Sequence, residues 1–371
     1  MADTAGKKIR VMVVEDSAYM RYVISEILAS DPDIEVVEKA RDGLDALERL
    51  RRDLPDVITL DIQMPRMDGL AFLQEIRGKF RVPTIMISSL TQEGAIDTLK
   101  ALELGALDFV PKPTGMLSLT LEDIRDQIIA KVKMAATIKP MVTMDERPAT
   151  AEAPVESGAA PHEPQVSEKT PKPKREPLSA KVSTLKKVVA IGSSTGGPRA
   201  LSEIVPLLPG DLSACVVIVQ HMPPRFTTSL AERLDAVSEI KVVEAASGDK
   251  IKPGVVYIAP GDHHILVGRN DTIYLNQEPP LHGVRPSVDV FMKSLASAYG
   301  RRSIGVILTG MGVDGAEGVK NIKEAGGTVF AEHHSTCVVY GMPKAAAETG
   351  CVDRVLILPR IADVLIETVE N

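Results

Sequence analysis

The sequence predicts two α/β units, each a mostly parallel sheet covered by helices, with an extended tether between them. Three observations lead there. The 371 residues amount to about two and a half ordinary domain lengths. Both halves alternate short β-branched runs with longer segments of helical period, which is the pattern of βα units. Between Lys139 and Ala180 stand eight prolines, with only Val142, Val155, Val166 and Leu178 as strong core formers. That stretch cannot bury enough apolar area to offset its conformational entropy. The expected units span 1–135 and 184–371, with the tether over 136–183.

Composition narrows the function. Forty-three Lys and Arg against fifty Asp and Glu give a formal charge of −7, so nothing favours a phosphate backbone as partner. Six Tyr, six Phe and no Trp supply few stacking platforms for single-stranded nucleic acid. No apolar run approaches the roughly 18 residues of a membrane span. Glu15 and Asp16 fall where a signal peptide needs an uninterrupted apolar stretch, and Cys215, Cys337 and Cys351 form no CxxC pair. A cytoplasmic protein without disulfides or structural zinc is expected.

In the N-terminal unit the strands read IRVMVVE, IEVVE, VITLD, TIMIS and ALDFV. The helices between and after them read AYMRYVISEILAS, GLDALERLRR, DGLAFLQEIRG, EGAIDTLKALELG and LEDIRDQIIAKVKM. This is a (βα)5 pattern. In open parallel sheets the functional crevice lies at the carboxyl ends of the strands. Glu15 and Asp16 end the first strand, Asp61 the third and Ser88 the fourth, while Lys112 follows the fifth. Three carboxylates on one rim repel one another, and Mg²⁺ is the usual remedy. Each acid taken singly could instead cap a helix.

VVEDSAYMR, LDIQMPRMDG, ISS and DFVPKP resemble the motifs of response-regulator receiver domains across residues 7–134. The resemblance implies Asp61 as phosphoacceptor, with Glu15, Asp16 and Asp61 holding Mg²⁺. It also implies Ser88 and Lys112 as phosphate-sensing residues and Phe109 as the aromatic switch.

The C-terminal strands read KVVAIG, ACVVIVQ, VVYIA, SIGVILTG and GTVFAE, with an antiparallel hairpin in HILV-GRND-TIYL. A second, mostly parallel, doubly wound sheet is expected. Gly192-Ser193-Ser194-Thr195-Gly196 fits G-x-S-x-G, in which a serine on a sharp strand-to-helix turn is pushed clear of the sheet. Ser194 is the candidate nucleophile, although such a turn equally suits an anion cradle at a helix N-terminus. A serine needs a base on the same rim. His162 lies in the tether, His263 and His264 lead into the hairpin, His282 is in a loop, and His333 and His334 belong to a late loop. His221 alone directly follows a buried strand. The third member is Asp314 in LTGMGVDGAEGV, placed to orient the histidine. Gly310, Gly312 and Gly315 also fit a dinucleotide fingerprint, with Glu332 about 20 residues on as the ribose acid. That unit, however, comes late in its domain and beside a Ser/His pair.

GSSTGG, VQHMPPRF, APGDHH, RPSVDVF, LTGMGVDGAEG and VVYGMP together resemble the catalytic domain of CheB-type chemotaxis protein-glutamate methylesterases, across residues 184–370. The resemblance implies a Ser194, His221, Asp314 triad and N–H groups of Thr195 and Met311 at the oxyanion site. It implies hydrolysis of glutamyl methyl esters on chemoreceptors with release of methanol, deamidation of receptor glutamines, and no cofactor for hydrolysis. It further implies a chemotaxis histidine kinase as phosphodonor, contact with the membrane only through receptors, and a monomer. The rival readings are a response regulator with a nucleotide-binding, non-hydrolytic output domain and a transcriptional regulator. No helix-turn-helix or basic stripe supports the latter. His333-His334 has no assigned role.

Overall fold

The computed structural model describes residues 7–89, 91–112, 121–138 and 184–371; nearly all of the expected tether lies outside them. The N-terminal unit runs β1 (Ile9–Val14), α1 (Ala18–Ala29), β2 (Ile34–Ala40), α2 (Gly43–Leu50), β3 (Val57–Asp61), α3 (Gly69–Ile76), β4 (Thr84–Ser88), α4 (Gln92–Leu104), β5 (Asp108–Pro111) and α5 (Leu121–Thr137). The strands pair in parallel in the order β2-β1-β3-β4-β5. β3 and β4 are buried along their whole length, which is why VITL and TIMI are almost continuously apolar. The order reverses between β1 and β3, and this opens the crevice at their carboxyl ends. Helix capping falls to other residues there: Ser17, Asp42, Asp68 and Thr91 cap α1 to α4. Glu15, Asp16 and Asp61 are thereby free for another role.

The C-terminal unit runs β6 (Lys187–Ser193), α6 (Gly197–Ile204), β7 (Ala214–Gln220), α7 (Phe226–Val237), β8 (Lys241–Glu244), β9 (Val255–Ile258), β10 (His264–Val267), β11 (Ile273–Asn276), α8 (Val288–Tyr299), β12 (Ser303–Ile307), α9 (Ala316–Glu324), β13 (Thr328–Glu332), α10 (Met342–Glu348), β14 (Arg354–Leu356) and α11 (Leu358–Glu370). Seven strands pair in the order β14-β13-β12-β6-β7-β9-β8, all in parallel. The hairpin β10–β11 is a separate antiparallel sheet. The edge strands β8 and β14 are additional to the strands expected from sequence, since KVVE and RVL are too short to stand out. The chain steps outward from β6 through β7 to β9 and then returns to lay β12 on the other side of β6. The loops after β6 and β12 therefore meet at the switch point of the sheet.

One apolar cluster continues from Leu60 and Phe72 through Leu99, Leu102 and Phe109 to Phe226, Leu230 and Leu201. It crosses from one unit into the other. Phe109 and Phe226 stack with centroids 4.5 Å apart and planes 11° from parallel, and the Lys131 ammonium lies 5.4 Å from the Phe109 ring. Among the described residues no helix is long and apolar enough to cross a membrane.

Phe226 is fully buried, so Phe226→Ala should destabilise the chain by about 3–5 kcal/mol, seen as a lower urea midpoint. Combined with Phe109→Ala, it should show a non-additive term in a double-mutant cycle. A coupling near zero would mean that the stack contributes nothing across the junction.

Candidate active site

At the carboxyl rim of the N-terminal sheet, Glu15 and Asp61 are buried and Asp16 is exposed. Lys112 Nζ lies 3.0 Å from Glu15 Oε2 and 2.8 Å from Asp61 Oδ2. Lys112 thus meets two of three acids, Glu15, Asp16 and Asp61, that each offer an oxygen within 4.8 Å of the others. A buried excess of negative charge with few donors suits a hard divalent cation, so these residues fit Mg²⁺. Burial, aided by the charge of Asp61 and opposed by Lys112, pushes Glu15 up to about 7. Burial also raises Asp61 against the pull of Lys112. Desolvation opposes the charge on Lys112, but Asp61 and Glu15 prevail and hold its pKa above the ordinary value. Ser88 faces the other way: its hydroxyl accepts from Thr98 Oγ1 at 2.6 Å on α4.

The C-terminal site stands on the two switch-point loops. Ser194 leaves β6 on a turn closed by Gly197 N donating to its carbonyl at 2.8 Å. Gly196 caps α6 with φ +79°, a conformation that glycine adopts readily. Ser194 N donates to Thr309 O at 3.1 Å, which joins this turn to the loop after β12. A Cβ on Gly310 would come within 2.9 Å of Ser194 Cβ, so only glycine allows the two loops to approach. Gln220 Nε2 donates to the carbonyls of both Ser194 and His221, at 3.0 and 3.1 Å. One buried amide thus ties these two residues together.

His221 Nε2 lies 2.7 Å from Asp314 Oδ2. Asp314 also accepts from Ser287 Oγ at 2.7 Å, Val288 N at 2.7 Å and Asp289 N at 3.1 Å. Burial opposes its charge, but His221 and these donors outweigh it and hold the carboxyl below its ordinary range. A carboxylate only accepts, so Nε2 carries the hydrogen and Nδ1 keeps the lone pair that a base needs. Among the described residues, the amides of Thr195 and Met311 donate to no protein acceptor. Burial pushes the thiols of Cys215 and Cys337 up, which makes both poor nucleophiles near neutrality.

Several of these partners escaped sequence reasoning. His282 Nε2 pairs with Asp289 at 3.1 Å, and His264 is buried behind Ser287. Thr309 N donates to Glu332 Oε2 at 2.8 Å, so the acid that a dinucleotide would need for its ribose is fully buried and already bound. His333 directly follows the buried strand β13, so His221 is not alone in that placement; its contact with Asp314 sets it apart, while His333 and His334 lie 4.1 Å apart, ring to ring. The loop they open returns to the site, where Gly310 N donates to Val339 O at 3.0 Å.

The N-terminal unit reaches this rim as well. Thr195 Oγ1 donates to Asp108 Oδ2, both residues being buried. Lys131 Nζ holds Asp108 Oδ2 at 2.9 Å and donates to Phe109 O at 2.7 Å. Arg233 of α7 pairs with Glu103 of α4. Phe109, expected as an aromatic switch, is the residue stacked on Phe226.

The CheB methylesterase family model matches residues 189–365, and that of the response regulator receiver domain matches residues 11–122. A protein of Symbiobacterium thermophilum is 48% identical over 100% of this chain and 99% of its own length. One from Pyrococcus abyssi is 46% identical over 98% of this chain and 95% of its own. One from Thermotoga maritima is 44% identical, over 97% and 98%. All three bear the name protein-glutamate methylesterase/protein-glutamine glutaminase. The matched names favour hydrolysis over a nucleotide-binding output.

The raised Glu15 pKa has a stability consequence. A carboxyl raised in the folded state contributes stability that is fully present below its ordinary pKa of about 4.5 and is lost as pH rises through about 7. Glu15→Gln, neutral throughout, should gain about 1–3 kcal/mol over the parent at pH 8 in EDTA, shrinking toward zero near pH 4.5. Urea midpoints at the two pH values measure it, and an equal gain at both would refute the cause given.

Proposed function

The chain belongs to the CheB family of protein-glutamate methylesterases/protein-glutamine glutaminases, and on that footing we propose that it is a phosphorylation-activated serine hydrolase of chemoreceptors. It removes methyl from glutamyl methyl esters as methanol and deamidates receptor glutamines, in the cytoplasm and as a monomer. The observation that carries this reading is the 2.7 Å His221–Asp314 contact beside Ser194 on its turn. Residues 1–135 act as receiver, 136–183 as tether and 184–371 as catalytic unit.

In the proposed reaction Ser194 Oγ attacks the ester carbonyl while His221 Nδ1 takes its proton. The tetrahedral oxyanion is received by the N–H groups of Thr195 and Met311. The imidazolium, stabilised by Asp314, returns the proton to the departing methoxide, and methanol leaves. Water then attacks the acyl-serine by the same path in reverse, freeing the glutamate. With an amide in place of the ester, ammonia leaves instead, so one site serves both reactions.

Glu15, Asp16 and Asp61 would hold Mg²⁺, which would supply charge neutralisation when Asp61 accepts the phosphoryl group from the kinase. Lys112 pairs with the new phosphoryl oxygens, and Ser88 turns from Thr98 toward them. Phe109 moves with β5, loosening its stack on Phe226 and the Asp108–Thr195 bond, and so uncovers the Ser194 rim. A swing from 1:99 to 99:1 needs about 5.5 kcal/mol, whereas single charge-assisted hydrogen bonds supply about 1.5–3 kcal/mol. Activation is therefore partial.

Methanol release from methylated receptor membranes, with and without a small-molecule phosphodonor, tests each part. Ser194→Ala should lower turnover by roughly 10⁴-fold or more, and retained turnover would overturn the assignment. Asp61→Asn should keep the basal rate and lose the response. Asp108→Asn and Phe109→Ala should raise the basal rate of the unphosphorylated enzyme several-fold; unchanged rates would mean that the receiver does not act through this contact.

A further inference from the structure

Behind Asp314, at the start of β10, lies His264, only 1% exposed. Both its ring nitrogens are engaged. Ser287 N donates to Nδ1 at 3.2 Å, and Nε2 lies 3.2 Å from the Pro279 carbonyl. These partners fix the hydrogen: an amide can only donate and a carbonyl can only accept, so Nδ1 bears the lone pair and Nε2 the proton. His264 is a neutral peg in a single tautomer.

The peg holds the turn that binds Asp314. Ser287 caps α8, its hydroxyl accepting from Val290 N at 3.4 Å and donating to Asp314 Oδ1 at 2.7 Å. Val288 N and Asp289 N supply the other backbone donors to that carboxylate. Among the described residues, every donor to Asp314 apart from His221 thus comes from residues 287–289. Ser287 is fully buried, and its N–H without an acceptor would cost about 1–3 kcal/mol. The contact is braced two residues back along each chain segment. Asp262 N donates to Arg285 O at 3.1 Å, and Arg285 Nε donates to Asp262 Oδ1 at 3.1 Å. The hairpin, which contributes nothing else to the proposed triad, is thereby locked to the turn.

We infer that His264 is a positioning residue for the hydrolysis: it fixes the Ser287–Asp289 turn, hence Asp314, hence the aim of His221 at Ser194. This rests on the triad reading above. The tautomer matters because only an acceptor at Nδ1 satisfies Ser287 N. Asparagine can place a carbonyl oxygen near that point, whereas glutamine reaches the Nε2 position and leaves Ser287 N unmet.

The test is steady-state methanol release from methylated receptor membranes by the full-length chain, together with the rate of Ser194 labelling by a fluorophosphonate. His264→Leu should lower kcat at least tenfold with KM within about twofold, and slow labelling in parallel. His264→Asn should recover most of the loss and His264→Gln little of it. Ser287→Ala should resemble His264→Leu, and the double variant should be no worse than the poorer single one, since both act through Asp314. Circular dichroism and urea midpoints establish that each variant is folded. If His264→Leu does not fold, the Asn and Gln variants decide alone, and equal kcat for those two overturns the inference. So does a folded His264→Leu within twofold of the parent kcat, an effect confined to KM, or losses that multiply in the double variant. Ser194→Ala in the same series separates the two levels: its activity would sink the triad reading, whereas an inactive Ser194→Ala beside a fully active His264→Leu sinks only the role of His264.

Discussion

The C-terminal site depends on an exchange of carboxylates between two helix starts. Asp314, just ahead of α9, accepts from the first amides of α8, while Asp289, in the first turn of α8, accepts from Gly315 N at 2.9 Å and Gly318 N at 2.6 Å at the start of α9. Each helix N-terminus, with its partial positive charge and unpaired amides, favours the anion of the other. The arrangement puts two buried acids close together, and the strain is visible in Asp289, raised chiefly by burial with the charge of Asp314 adding to it. Each acid has a histidine partner, but Asp314 has His221, its side chain only 9% exposed, at 2.7 Å, which lowers its pKa by both hydrogen bond and charge. Asp289 has only the largely exposed His282 at 3.1 Å. The direction of the His221 ring and the crossing of α8 with α9 are therefore set by the same atoms.

The acids of the N-terminal rim obey the same rule with the opposite result. Among the described residues Asp314 has four donors, whereas Glu15 has Lys112 at 3.1 Å and a long bond from Ser17 N at 3.4 Å, and Asp61 has Ile62 N at 2.7 Å beside the shared lysine. Under-supplied carboxylates attract a cation; saturated ones orient an imidazole. Residue type is the same in both places, and the count of donors divides the roles.

Periodicity made most of the architecture legible, because β3, β4, β6 and β7 are buried on both faces and their apolar runs are unbroken. Short edge strands such as KVVE were not legible, since half-exposed runs of three or four residues carry little pattern. The placement of Ser194, His221 and Asp314 on one rim could be read, Ser194 and Asp314 from the glycine-rich loops after β6 and β12 and His221 from its position directly after β7. The partners that hold them could not. His264 and Ser287 meet across 23 residues of chain, and Thr195 meets Asp108 across 87. No local motif encodes such a pairing. Gln220 left a faint signal, a polar residue closing the apolar run ACVVIVQ just before His221.

Under the proposed gating, the bond between Asp108 at the start of β5 and Thr195 would carry influence in both directions. If phosphorylation of Asp61 favours the uncovered rim, then whatever occupies that rim must favour phosphorylation by the same factor, because binding free energies around a closed cycle are reciprocal. A receptor helix seated on the Ser194 turn would then make the receiver a better acceptor of phosphate and would slow its return to the covered state. Substrate supply and kinase output would enter the same equilibrium as interchangeable inputs. The protein would register their coincidence, with neither commanding it alone.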